Sequence, residues 1–348
     1  SGATIRYTTN GSNPTSLSPT YTSPISVTSS TPIKAKAFKS GWNDSQVASA
    51  SFTITGLYEV ASLTNIGTAR KVVKYQNYLY VVSDFGSINI IDVSNESNPY
   101  LVSTHSTFIL TGGVAINGNK LYVSDTYDKK ITVYSLYSDP TSPMWIGSIT
   151  TQDGAYGIFI HNNYLYAASG SAGLLIYSIS SSGNLTLRGS YNTPGFAMNV
   201  YVQDNIAYVA DGEGGLRIIN VSDPYNPYEI AFHGTPGYPR DVVLIGSVAY
   251  VSSSGLAVVD VSVLPPILAD YYGTYGSSMR VKKDVNANSV VYMADGTDGI
   301  RRFNVSNIQS IVQTNVFDTP GAAWDVLLEG DYIYVADSGG GLRILRFR

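Results

Sequence analysis

Hydrophobic residues along this chain fall into short runs broken by clusters of Gly, Asn, Asp and Pro, and no useful length carries helical periodicity. The runs recur. Tyr78-Leu79-Tyr80-Val81 is echoed by Lys120-Leu121-Tyr122-Val123, Tyr164-Leu165-Tyr166-Ala167 and Ile206-Ala207-Tyr208-Val209. Val248-Ala249-Tyr250-Val251, Val290-Val291-Tyr292-Met293 and Ile333-Tyr334-Val335 continue the series. The anchor tyrosines are therefore Tyr80, Tyr122, Tyr166, Tyr208, Tyr250, Tyr292 and Tyr334, at spacings of 42, 44, 42, 42, 42 and 42 residues. Within the fourth unit, residues 199–202 read as strand A and 206–210 as strand B. Residues 216–221 then read as strand C and 228–233 as strand D, with Gly- and Pro-rich turns between them. Four strands per unit at this period predict the blades of a β-propeller.

Seven anchors predict seven blades, and the last unit, 324–347, supplies only strands A, B and C. Its missing D strand is expected from residues 57–64, whose run Leu57-Tyr58-Glu59-Val60-Ala61-Ser62-Leu63 matches the D strands of other units. Residues 57–348 are thus read as one closed propeller, because closure removes two exposed sheet edges. Residues 1–56 contain no copy of the repeat and form a separate, Thr- and Ser-rich segment. The junction, 53–56, is too short for a flexible tether.

The runs Ala207-Tyr208-Val209-Ala210-Asp211 and Gly215-Leu216-Arg217-Ile218-Ile219-Asn220-Val221-Ser222-Asp223-Pro224 resemble the LVIVD-repeat family. Partial copies stand at Ile90-Ile91-Asp92-Val93-Ser94, Val258-Val259-Asp260-Val261-Ser262 and Gly341-Leu342-Arg343-Ile344. The resemblance implies a bacterial or archaeal protein, exported or surface-associated, of undefined molecular function. The stretch from Gly2-Ala3-Thr4-Ile5-Arg6-Tyr7 through Ile33-Lys34-Ala35-Lys36-Ala37-Phe38 to Ser51-Phe52 resembles the C-terminal domain of chitobiase and β-hexosaminidase. That resemblance implies an accessory Ig-like, fibronectin-III-like β-sandwich with no catalytic residues and with its first strands missing. An incomplete sandwich offers an edge for self-assembly. The expected fold is all-β throughout.

Composition narrows the functions. Lys plus Arg is 21 against 25 Asp plus Glu, a net charge of −4 that argues against nucleic-acid binding. No apolar run is long enough to span a membrane as a helix. Without cysteine there are no disulfides, thiolate metal sites or Cys nucleophiles. The chain opens on Ser1-Gly2-Ala3 with no leader pattern, as a processed or trimmed piece does. Three histidines lack metal-ligand spacing, no Gly-x-Ser-x-Gly elbow exists, and Gly212-Glu213-Gly214-Gly215 precedes a strand instead of a helix. No cofactor, metal or catalysis is expected. The aspartates after the anchors, Asp84, Asp125, Asp211, Asp295 and Asp337, read as caps of their own B–C hairpins.

One position stands out at the start of strand A. Blade by blade it holds Arg70, Gly112, Tyr156, Met198, Arg240, Arg280 (allowing a two-residue hairpin insertion) and Trp324. A position required only for packing should look alike in every blade, as the tyrosine does. This one mixes Arg with aromatics, and Phe196 and Tyr238 adjoin it, the composition of an interaction hot spot. Asp241 and Asp325 stand as acidic neighbours able to neutralise Arg240. The expected function is a non-catalytic extracellular or cell-surface protein, with the propeller face binding a surface protein or a glycan. A structural subunit of a surface filament and a polysaccharide-active enzyme are the alternatives.

Overall fold

The computed structural model describes residues 2–25, 31–52, 56–84, 86–106 and 110–347. The junction residues 53–55 lie outside them. The chain divides into two compact units, Ser1–Gly56 with Phe347–Arg348, and Leu57–Arg346. Apart from one 3-10 turn at Gly212–Gly214, the regular elements of the described residues are all strands.

In the smaller unit, Thr4–Thr8, Thr31–Phe38 and Ala48–Phe52 form a three-stranded antiparallel sheet in that order. The expected sandwich would need two packed sheets, and the described residues form one. The first strand's outer side is not bare either. Arg6 bridges to Thr20, the Tyr7 N–H donates to the Pro19 carbonyl at 3.0 Å, and the Tyr21 N–H donates to Ile5 at 2.8 Å. Pro14 is the one buried residue among those described in this unit.

The larger unit holds seven four-stranded sheets. Six take their strands consecutively, and the seventh is completed by Leu57–Leu63 beside Leu342–Phe347. Gly341 lies against Leu63 and Arg343 reaches Glu59 at 3.4 Å, so the two strands run antiparallel. The A strands begin at Ala69, Thr111, Gly157, Asn199, Asp241, Arg280 and Asp325. Each touches the A strand of the next sheet, and the last, Asp325–Glu329, touches the first, Ala69–Tyr75.

Hydrophobic burial explains this ring. B and C strands are apolar at almost every position because both faces of each sheet are covered. The core is accordingly not one cluster. Seven clusters each join two successive sheets, the last joining Tyr334, Ala336 and Ile344 to Ile66, Leu79 and Val81. Strand pleating sends alternate residues to opposite neighbours. Tyr80 and Val82 pack towards the following sheet, and Leu79 and Val81 towards the preceding one.

The anchor tyrosines are all buried. Three of their hydroxyls reach the C–D turn of the following sheet: Tyr80 donates to the Pro140 carbonyl at 2.7 Å, and Tyr122 to Gly183 at 3.2 Å. Tyr334 meets Glu96 of the first sheet at 3.5 Å, closing the circle. Burial pushes the phenols of Tyr122, Tyr166 and Tyr250 up to about 12, so they stay protonated donors.

The D strands are the outer edges, with alternating exposure. In six sheets the C–D register slips at one equivalent place, as between Ile90 and Ile91 or Ile218 and Ile219, which marks a β-bulge in each outer strand.

Of the aspartates after the anchors, Asp125 caps its hairpin as expected, and the others are engaged elsewhere. Asp125 caps its own hairpin through the N–H groups of Tyr127 and Asp128, at 2.9 and 3.1 Å. Asp125 also accepts the Leu110 N–H of its crossover at 3.3 Å, and three others bond to the crossover through side chains and N–H groups. Asp211 accepts the Thr193 hydroxyl and the Gly195 N–H, and Asp295 accepts Thr274 and Ser278 at 3.0 and 2.9 Å. Asp337 accepts the Gly321 N–H at 3.0 Å. Each thus fastens the crossover that leads into its own sheet, while Asp84 pairs with Arg70. A C-strand arginine completes the arrangement, bridging the aspartate and a D-strand Glu or Gln. Arg217 joins Asp211 and Glu229, Arg301 joins Asp295 and Gln313, and Arg343 joins Asp337 and Glu59. Arg301 makes the tightest of these, at 2.6 Å to both Asp295 and Gln313. Replacing it by methionine strands a buried carboxylate, so Arg301→Met should destabilise the larger unit by about 3–5 kcal/mol in denaturant unfolding. A loss within about 0.5 kcal/mol, typical of an exposed position, would contradict this account.

Candidate functional site

The seven positions singled out in the sequence lie within one residue of the start of each inner strand, after a crossover, and so cluster where the seven inner strands begin. Arg70, Gly112, Tyr156, Met198, Arg240, Arg280 and Trp324 all line a single cavity of about 280 Å³. Lys71, Asp84, Thr111 and Met279 share its wall.

Register places one member differently from its expected position. The N–H groups of Tyr156, Met198, Arg240 and Trp324 each donate to the second residue after the anchor tyrosine at 2.8 Å, and in the sixth sheet Met279 makes this bond. Asp241 faces Ser252, eleven residues on, whereas Arg280 faces Ala294, fourteen residues on. The A–B hairpin of that sheet therefore carries three extra residues where the sequence reading allowed two. Arg280 consequently occupies the place that Asp241 and Asp325 hold in their sheets.

That place gives Arg280 its role. It is buried, and its guanidinium donates from Nη1 to the Arg240 carbonyl at 3.0 Å and from Nη2 to the Tyr156 carbonyl at 3.5 Å. It thereby ties three sheets together across the ring. Arg70 donates from Nε to Asp84 at 2.5 Å, and its guanidinium stacks on the Trp324 ring at 3.5 Å from the centroid. Arg240 stands over the Tyr238 ring at 5.4 Å.

Asp241 and Asp325 do not neutralise Arg240. Asp241 accepts the N–H groups of Val242 and Val281, at 2.9 and 3.0 Å, and the Asn199 amide. Asp325 accepts those of Val326 and Val72 at 3.0 and 3.3 Å. Both carboxylates staple one inner strand to the next, because the start of an inner strand leaves N–H groups that its own sheet does not engage.

Phe196 and Tyr238 lie behind the cavity wall. Phe196 packs edge-on against Tyr156, centroids 4.8 Å apart, and covers Gly170, while Tyr238 covers Gly212. These crossover aromatics lie over the B–C hairpin of the preceding sheet and brace the lining residues instead of meeting the cavity. Gly112 also has a packing cause: a Cβ there would stand 1.8 Å from the Ala155 carbonyl oxygen.

Lys71 was not singled out in the sequence, although a lysine following the variable position is its signal. It is buried, and its ammonium is pushed down from 10.5 to about 7, by burial first and by Arg280 second, against the opposing pull of Asp325 and Asp241. Among the described residues no group of three or more His, Asp or Glu is placed to hold a metal ion.

The LVIVD repeat family model matches residues 66–107, 154–193, 194–233, 236–269 and 320–345. The chitobiase/beta-hexosaminidase C-terminal domain model matches residues 1–49. No curated protein matches the chain in sequence. Among solved structures, the crystal structure of RRP9 WD40 repeats is similar at a TM-score of 0.69 and 12% identity, over 84% of this chain and 98% of that one. The structure of U3-55K gives 0.66 and 12%, over 84% and 98%. The computationally designed Ika8 protein gives 0.59 and 10%, over 83% and 99%. At such identities the likeness shows the fold, a β-propeller, and nothing of what is bound.

Two outcomes follow from this geometry. Gly112→Ala should overpack the cavity wall and cost about 1–3 kcal/mol, read from denaturant unfolding; a neutral substitution would contradict the close approach to Ala155. Below its folded value of about 7 Lys71 is charged in both states and its burial cost is fully present; the cost fades as pH rises towards 10.5, where the folded chain has shed a proton that the unfolded chain keeps. Lys71→Met should therefore raise the melting temperature most near about pH 6 and progressively less towards alkaline pH in scanning calorimetry, and a gain that grows with pH would refute the assignment.

Proposed function

The chain belongs to the LVIVD repeat family, and on that footing we propose that it is a non-catalytic binding or scaffold protein of the cell surface or extracellular space. In this reading the seven four-stranded sheets are the blades of a seven-bladed β-propeller. The N-terminal unit, similar to the chitobiase/beta-hexosaminidase C-terminal domain, serves as an Ig-like spacer. The propeller face with the cavity takes a surface protein or a glycan.

The observation that supports this reading is the contrast between two sets of equivalent positions. The anchor tyrosines are the same residue in all seven repeats and are buried. The residues at the starts of the inner strands are not one residue type, holding Arg, Gly, Tyr, Met and Trp, and they surround one cavity. Variation at equivalent positions around one cavity supports a binding site there, although Gly112 and Arg280 also answer to packing. Half-buried Trp324, Tyr156 and Arg240 are residue types over-represented at binding hot spots.

A screen of immobilised glycans and surface proteins, run with the full chain, tests the reading. A ligand found in it should bind at least about tenfold more weakly to Arg240→Ala and to Trp324→Ala. Binding unchanged in both variants would remove the cavity mouth as the site.

A further inference from the structure

We propose that the cavity binds a carboxylate carried on a ring of monosaccharide size, as in a hexuronic acid. This deepens the reading above and rests on it.

Charge is the first argument. The chain carries a net −4, yet Arg70, Lys71, Arg240 and Arg280 line this cavity and Asp84 is the lining carboxylate. Asp84 is committed to Arg70. Among the described residues, no carboxylate lies within the 4.0 Å of an ion pair from Arg240, Arg280 or Lys71. Asp241 and Asp325, whose charges act on Lys71, are engaged by backbone N–H groups. A concave wall with unpaired guanidinium groups is complementary to an anion, and a guanidinium meets a carboxylate with two parallel hydrogen bonds.

Directed polar groups are the second argument. Arg70 Nη1 and Thr111 Oγ1 are buried with no hydrogen-bond partner, and both residues line the cavity. Buried polar atoms are nearly always satisfied, and these two, of eleven such side-chain atoms among the described residues, belong to the cavity wall, where a small side-chain shift brings them to a ligand's oxygens. Arg280 is already held by two carbonyls, which orients its remaining N–H groups without a further ordering cost.

Size and wall chemistry decide between anions. About 280 Å³ lies just below the range of drug-sized pockets and suits a single small ring. Trp324, Tyr156, Met198 and Met279 supply apolar surface for the C–H face of such a ring, which a bare inorganic anion does not use.

Isothermal titration of the full chain at low salt with D-glucuronate and D-galacturonate tests this, against glucose, galactose and inorganic phosphate. Uronate is expected to bind, and the neutral sugars to bind at least about tenfold more weakly. Arg240→Ala, which removes a cation making no ion pair, should weaken uronate binding by a similar factor while the melting temperature holds. Arg280→Lys, kept because loss of the full side chain risks the fold, should weaken it too. Equal binding of neutral sugar and uronate overturns the proposal, as does undiminished binding by Arg240→Ala. Phosphate binding as tightly as uronate overturns the ring carboxylate in favour of a simple anion site. If no uronate binds at millimolar concentration while a ligand from the glycan and protein screen still does, this proposal fails and the broader reading stands.

Discussion

Both faces of every sheet in the larger unit must be covered by another sheet, and the rest of the structure follows from that demand. A B strand such as Tyr78–Ser83 is apolar on both sides, so it cannot face water on either. Stacking satisfies one face at a time, and a linear stack always leaves two faces bare. Closing the stack on itself leaves none, which is why the seventh sheet packs against the first through Tyr334 and Leu79. The anchor tyrosine suits this geometry because its ring fills the gap between sheets and its hydroxyl reaches the next C–D turn.

The repeat architecture was legible because it depends on spacing, which a sequence displays directly. The completion of the last sheet by residues 57–63 was legible for the same reason, since a unit lacking its D strand requires a donor. Other features depend on what lies opposite a residue, and spacing does not show that. Asp211, Asp295 and Asp337 follow the tyrosine as a hairpin cap would, but their partners lie in the crossover some sixteen to twenty-one residues earlier. Arg280 was placed one register position off, because the length of a hairpin insertion is fixed by pairing and not by composition. Phe196 and Tyr238 look exposed in sequence because they adjoin Gly and Pro, yet each lies over a glycine of the preceding hairpin. The described residues of the N-terminal unit form a single sheet, whereas the resemblance implies a sandwich of two.

The site itself was found by a difference between columns of the repeat, and the structure supplies the reason for it. Anchor positions answer to packing on all sides. The starts of the inner strands answer to it only in part, as Gly112 does to the Ala155 carbonyl, and are otherwise free to vary. The charged layer beneath them is not free. Lys71, Asp241, Arg280 and Asp325 are all buried, and three of them hold the ring together through backbone groups. Structural charge thus lies one residue deeper than the variable charge.

The seventh sheet also determines how the ring responds to tension. Leu57–Leu63 is its outer strand and pairs with Leu342–Phe347, so residue 57 and residue 346 leave from the same end of an antiparallel pair. A pull applied through those two points loads the hydrogen bonds of that pair one after another, as a zip is opened, instead of shearing them together. The contact that makes the ring thermodynamically closed is therefore its mechanically weakest seam. Force applied at residues 57 and 346 would open the circle at this sheet while the other six still hold their neighbours.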